Sequence, residues 1–310
     1  MADEIAQRDQ WHELPVSVRE AVAEGLGAPV SSAITQRGGF SHGMAAVLVG
    51  VDGRTAFAKA VRVEDGLAGP YRTEAAVARS LAGLVATPTM RFTIEEDGWF
   101  VVVFDAVEGE HPHFDRPDEL RTVLASVARL AVALTPSPVL DIPTVAQRYG
   151  SRMRNWNGFA EQRIRQDLTP WAARNLSRLA RLEPRWLNFA DGPTLLHTDL
   201  RPDNLLLSAD GTVSVVDWGW PCTGAAWVDL GFLAPAIAAA GTDPDPILAE
   251  QSATRDMDPV AMDSLLCALA GYWTAQSHLP APPRSPGLRS YQARAARTSL
   301  AWLESRTGWV

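Results

Sequence analysis

The residues of this sequence best placed to do chemistry stand close together. Leu195-Leu196-His197-Thr198-Asp199-Leu200-Arg201-Pro202-Asp203-Asn204 is followed, after a short hairpin, by Val215-Val216-Asp217-Trp218-Gly219. Two strand-like apolar runs, Leu205 to Leu207 and Val213 to Val216, are joined by an Asp210-Gly211 turn and fold Asp199, Asn204 and Asp217 towards one point. Transfer of the terminal phosphoryl group of a nucleotide needs few protein parts. A carboxylate must orient and deprotonate the attacking hydroxyl, and oxygen ligands must hold magnesium. The order predicts Asp199 as the base and Asn204 with Asp217 as ligands of Mg2+ on the phosphates of ATP. Asp, Asn, Pro and Gly also make ordinary turns, so the reading rests on both motifs standing in this order.

A second constellation lies upstream. Lysine occurs once, at Lys59, among 28 basic residues. Arginine fills every other cationic position, so Lys59 marks a place that needs a compact ammonium on a flexible stem. Arg54 to Val63 reads as a strand, with Phe57 and Lys59 on one face and Ala56, Ala58 and Ala60 on the other. Before it, Gly38-Gly39-Phe40-Ser41-His42-Gly43 joins strands predicted over Ser32 to Arg37 and Met44 to Val51. Such a turn lets backbone N–H groups approach phosphates, although a plain hairpin loop has the same composition. Lys59 would point beneath this loop, where it needs a partner. Glu74, on a helix predicted over Pro70 to Leu81, is the natural one; a solvated carboxylate near Arg72 and Arg79 is the competing reading.

The scaffold that must position these groups divides in two. A helix over Glu13 to Leu26 precedes the first strands, and Pro88 to Glu95 with Trp99 to Asp105, around an Asp97-Gly98 turn, complete a set of five. The segment Ala106 to Pro112 breaks the pattern as a hinge would. His111 and His113, at its end and just beyond it, have no third metal ligand nearby and read as a surface loop. Beyond lie helices over Pro117 to Leu134, Pro259 to Ser277 and on to Trp302. The fold class is therefore α+β and bilobal: residues 1–105 form a five-stranded antiparallel lobe with one inserted helix, and residues 106–310 a mainly helical lobe. Asp229 opens an apolar helical run and is placed to accept backbone N–H groups of the catalytic loop.

Composition narrows the function classes. The formal charge is −8, with 21% charged and 46% hydrophobic residues. That balance excludes nucleic acid as the main partner. Cys222 and Cys267 have no metal-type spacing and fit a reducing compartment. The acidic start Met1-Ala2-Asp3-Glu4 lacks a signal-peptide pattern, and the apolar run Leu230 to Ala240 is too short to span a bilayer. A cytoplasmic protein with no membrane partner is expected.

The order His-x-Asp-x-x-x-x-Asn then Asp-x-Gly, with the glycine loop and Lys59, resembles the aminoglycoside phosphotransferase-like family of small-molecule kinases, which share the protein-kinase-like fold. The resemblance implies that Gly38, Gly39 and Ser41 cover the phosphates, that Lys59 paired with Glu74 binds them, and that Phe104 lines the adenine pocket. It also implies adenine hydrogen bonds from the backbone of Asp105 and Val107. Two departures stand out. Thr198 occupies a position where the family often has glycine, and Arg201 stands two residues after the base, where protein kinases acting on serine and threonine carry a lysine. Arg201 is expected to stabilise charge on the transferred group.

The function implied is ATP-dependent phosphorylation of a hydroxyl on a small molecule, with an antibiotic as the leading acceptor. A sugar, choline or amino alcohol remains open, as does a nucleotide-binding pseudokinase sensor. A protein substrate is disfavoured, because eleven residues between Asp217 and Asp229 leave little room for a peptide-binding segment and no Ala-Pro-Glu follows. Six acids between Asp243 and Asp263 would suit a polycationic acceptor. The arginine-rich stretch from Arg148 to Arg185, with Trp156, Trp171 and Trp186, would suit a sugar ring, nucleoside or aromatic group instead. Assembly is expected to stop at a monomer or weak homodimer.

Overall fold

The computed structural model describes residues 6–161 and 168–310. The acidic start, and Arg163, Arg165 and Asp167 of the arginine-rich stretch, lie outside the described residues. The chain divides into two units. The first takes residues up to His111 together with Asp203–Trp220 and Pro282–Gly287, and the second takes Pro112–Pro202, Pro221–Ala281 and Leu288–Val310.

In the first unit, α1 (Val16–Leu26) precedes β1 (Val30–Thr35), β2 (Met44–Gly50) and β3 (Thr55–Arg62). The helix α2 (Ala68–Leu81) follows, then β4 (Met90–Glu96) and β5 (Trp99–Asp105). All five strands pair antiparallel in the order β1-β2-β3-β5-β4. Period-two alternation decides which residue meets which helix. Ala56, Ala58 and Ala60 of β3 join Val18 and Val22 of α1 on one face. Phe57 and Val61 face the other way, with Tyr71, Ala75 and Ala78 of α2. Helix α1 starts later than the sequence pattern implies, because Pro15 sits at its N-cap and Trp11–Glu13 form a separate 3-10 turn. The hairpin strands Leu205–Leu207 and Val213–Val215 also belong to this unit.

The second unit is mainly helical. Its helices are α3 (Pro117–Ala133), α4 (Val145–Tyr149), α5 (Trp156–Ala160), α6 (Pro170–Arg174), α7 (Leu176–Leu182), α8 (Trp227–Ala239), α9 (Pro244–Glu250), α10 (Pro259–Ser277) and α11 (Leu288–Thr307). The apolar stripe of α3 is buried at Leu120, Val123, Leu124, Val127 and Leu130. The two-stranded ladder Thr194–Leu196 with Cys222–Gly224 leads into the loop that carries His197, Thr198 and Asp199. Among the described residues no helix is long and apolar enough to cross a membrane.

Three sequence expectations change here. Trp156, Trp171 and Trp186 are buried. Trp156 donates its indole N–H to the Cys267 carbonyl and Trp171 stacks on Trp309, so these rings are core and not a platform for an acceptor. The acidic segment is largely structural. Asp243 and Asp258 cap α9 and α10, and Asp245 and Asp263 both pair with Arg306. The last helix runs five residues past Trp302, to Thr307.

Candidate active site

The first unit assembles the groups expected to hold a nucleotide. Lys59 lies on β3, between β2 and β5, on the face that α2 covers, and is 8% exposed. Its Nζ donates to Glu74 Oε1 and Oε2 at 2.9 and 2.7 Å and to Asp217 Oδ1 at 2.8 Å. An ammonium has three donors, and all three find carboxylate oxygens. Burial works against the charge of Lys59, but Asp217 and Glu74 outweigh it and hold the pKa above the ordinary lysine value. The Glu74 carboxyl is pushed up to about 7 by burial, against the pull of Lys59. A one-turn offset on α2 puts the Tyr71 ring 5.3 Å from the ammonium.

The hairpin sets the positions of Asn204 and Asp217 at its open end. The Val216 N–H donates to the Asn204 carbonyl at 3.0 Å, and the Val215 N–H to the Ala86 carbonyl at 3.0 Å. Asp217 sits at φ +66°, one of four such non-glycine residues among the described ones. Together they offer oxygen donors only, and few of them. That fits Mg2+, which takes one or two protein ligands and completes its shell with phosphates and water. Among the described residues no cluster of three or more His, Cys, Asp or Glu has the arrangement of a metal site, and His111 instead bonds the Leu205 carbonyl through Nδ1.

The residues implied for adenine and the phosphates lie in the same unit. Phe104 is buried in the α2-side core. The Asp105 N–H is committed to the Thr89 carbonyl at 2.8 Å and its carboxylate to Arg91 Nε at 2.6 Å. The Val107 N–H has no acceptor among the described residues. Gly38 and Gly39 both hold positive φ, +108° and +67°, a requirement only glycine meets without strain.

The second unit holds Asp199, the residue expected to act as the base. Asp229, at the start of α8, is 5% exposed and accepts the His197 N–H on Oδ2 and the Thr198 N–H on Oδ1, each at 2.8 Å. Burial raises its pKa, opposed by His197 and by these N–H groups. The Asp199 N–H donates to His197 Nδ1 at 3.2 Å. Thr198 has φ +61°, a left-handed conformation that is costly for a β-branched residue. Its Oγ1 lies 2.9 Å from the Tyr149 hydroxyl. Glycine at this position would adopt that φ freely; here the loop is over-determined by Asp229 and Tyr149 instead. Arg201 Nε is 3.7 Å from Asp199 Oδ1, with the guanidinium over the Tyr291 ring at 5.6 Å. Sequence reasoning missed Tyr149, which lies 49 residues before Thr198 and is marked by no motif.

A buried lysine bound by two carboxylates, an Asn and Asp pair with only oxygen to offer, and an aspartate on a backbone-clamped loop are the parts of a phosphoryl-transfer enzyme. The comparisons agree. The chain belongs to the phosphotransferase enzyme family (APH), whose pattern it matches over residues 38–263. No protein of curated function matches it in sequence. Among solved structures, a thermostable mutant of the aminoglycoside phosphotransferase APH(4)-Ia in a ternary complex with ADP and hygromycin B superposes at TM-score 0.64. It shows 14% identity, over 93% of this chain and 98% of that one. A putative fructosamine-3-kinase from Haemophilus somnus gives 0.58 at 13%, over 93% and 97%. An amicoumacin kinase in complex with AMP-PNP, Ca2+ and Ami gives 0.58 at 10%, over 92% and 93%. At these identities the likeness shows a shared protein-kinase-like fold, as expected from the motifs.

Proposed function

We propose that the chain is an ATP-dependent kinase that phosphorylates a hydroxyl of a small molecule, and that the acceptor is an antibiotic, an aminoglycoside or a related natural product. The observation that carries the kinase reading is the ammonium of Lys59 bound at once by Glu74 and Asp217. In this reading Lys59, oriented by Glu74, binds the nucleotide phosphates, with Gly38, Gly39 and Ser41 over them. Phe104 packs against adenine, and the backbone of Asp105 and Val107 hydrogen-bonds it. Asn204 and Asp217 would hold Mg2+, which supplies positive charge to the phosphates. Asp199 orients the acceptor hydroxyl and takes its proton, while Arg201 beside it stabilises the charge on the transferred group. A pseudokinase sensor has no chemical need for base, lysine and both metal ligands together.

The antibiotic reading draws on the relatives: hygromycin B and amicoumacin stand in the names of two solved structures with this fold. A second reading, a sugar, choline or amino-alcohol kinase, is favoured by the acidic segment. Four of its six carboxylates serve as helix caps or partners of Arg306, which reduces what is left for a polycation. A mass-spectrometric screen of the protein with magnesium ATP and a panel of aminoglycosides, other antibiotics, sugars and amino alcohols separates the two. Asp199→Asn, expected to abolish turnover while nucleotide affinity is kept, is the blank. A variant as fast as the wild type would refute Asp199 as the base.

A further inference from the structure

The glycine loop is held from outside by two segments distant in sequence, and both lie in the first unit. Arg8 donates from Nη2 to the Gly38 carbonyl at 2.7 Å and from Nη1 to the Gly43 carbonyl at 3.1 Å, so one guanidinium ties the two ends of the loop. The Asp9 N–H donates to the His42 carbonyl at 3.2 Å. Ser285 Oγ donates to the Phe40 carbonyl at 2.6 Å, and Ser285 is itself 4% exposed. These two outer segments are joined to each other. The Gln7 N–H reaches the Arg284 carbonyl at 2.8 Å, Arg284 Nε the Gln7 carbonyl at 3.1 Å, and Arg284 Nη2 Asp9 Oδ1 at 2.7 Å. Prolines at 282, 283 and 286 limit the backbone freedom of the second segment.

In a trans peptide the C=O of one residue and the N–H of the next point in opposite directions. A donor on the carbonyls of Gly38, Phe40 and His42 therefore turns the N–H groups of Gly39, Ser41 and Gly43 away from it. Among the described residues none of those three N–H groups donates to a protein acceptor. Unpaired N–H groups at alternate positions of a loop, turned away from the same anchoring segments, can line an anion-binding concavity. We propose that Arg8 and Ser285 are positioning residues for the nucleotide: by binding the loop's carbonyls from outside they pre-orient its N–H groups for the triphosphate. The proposal rests on the nucleotide-binding reading above.

The test is titration calorimetry on the full chain with AMP-PNP and magnesium, and separately with adenosine, for the wild type, Arg8→Gln, Arg8→Lys and Ser285→Ala. Arg8→Gln removes a fork that holds two carbonyls and is expected to weaken AMP-PNP binding roughly 10-fold or more, and Ser285→Ala about 5-fold. Adenosine affinity is expected to stay within about twofold in every variant, since no phosphate is involved. Arg8→Lys, a point charge without the fork, is expected to fall between the wild type and Arg8→Gln. AMP-PNP affinity unchanged in both Arg8→Gln and Ser285→Ala would overturn the proposal. Equal losses for AMP-PNP and adenosine would also overturn it, because they mark general loosening of the unit. A wild-type protein that binds neither ligand removes the nucleotide-binding reading itself, and this inference with it.

Discussion

Replacement of Asp229 by asparagine tests how Asp199, the proposed base, is held. In the native loop each carboxylate oxygen accepts one backbone N–H at 2.8 Å, from His197 and from Thr198. Asparagine keeps one oxygen and turns an NH2 donor towards the other N–H. Loss of one charge-assisted bond costs about 1.5–3 kcal/mol, and a buried donor left facing a donor about 1–3 more. Burial raises the Asp229 pKa, so removing the charge returns part of this. The two losses together, about 2.5–6 kcal/mol before that return, exceed the roughly 1–2 kcal/mol that a left-handed Thr198 stores. The loop is then expected to relax towards ordinary φ and carry Asp199 with it. A displacement of about 1 Å at the reacting atoms corresponds to about a 100-fold loss of turnover. ADP release should fall by that factor, and amide exchange of a peptide spanning His197 to Asp199 should accelerate. Nucleotide affinity should hold, because Lys59, Glu74 and Asp217 belong to the other unit. Turnover within about threefold of wild type with unchanged exchange would refute the reasoning.

Two further perturbations probe the units separately. Glu183 is buried in the helical unit and accepts the backbone N–H groups of Asn155 and Trp156; burial pushes its carboxyl up to about 7 from 4.5. Between those values the native state binds more protons than the unfolded chain, so this residue's contribution is full at low pH and is lost as pH rises through 7, by about 3 kcal/mol in all. Glu183→Gln keeps an oxygen for both N–H groups and should flatten the decline of Tm between pH 5 and pH 8; an equal decline in both proteins would exclude Glu183 as its source. For Lys59→Arg the charge survives, but a planar fork replaces three tetrahedral donors shared among Glu74 and Asp217. ATP binding, followed by calorimetry, should weaken about 10-fold or more, and unchanged affinity would show that any cation suffices there.

What the sequence makes legible, and what it hides, follows from the range of the forces involved. Alternation along β3 places Lys59 on the α2 face because side chains on a strand change sides at every residue, and the lone lysine among arginines marks it chemically. The role of Asp229 follows from its position at the start of an apolar run soon after the loop. The three tryptophans of the arginine-rich stretch are a different case. Amphipathic enough for a binding platform or a core, they are assigned by helix α10 and by Trp309, which lie far along the chain. The carboxylates from Asp243 to Asp263 look like a solvated or cation-seeking patch until Arg306 is folded against two of them. Arg8 is hidden most completely. Nothing in its neighbours distinguishes it from other surface arginines, and its partners are the carbonyls of a loop thirty residues on, which carry no side-chain signature.

The solitary lysine has a consequence for chemical access to the molecule. With every other cationic side chain a guanidinium, reagents that acylate, carbamylate or reductively alkylate amines find a single ε-amine. That amine is sunk between two carboxylates and kept protonated, so it is a poor nucleophile towards bulk reagents. If Lys59 binds the nucleotide phosphates as proposed, an electrophile carried on those phosphates would be delivered to it by recognition rather than by collision. Covalent labelling of this protein is therefore close to a single-site readout, in which one modified peptide, and its protection by competing ligands, reports occupancy without any engineered handle.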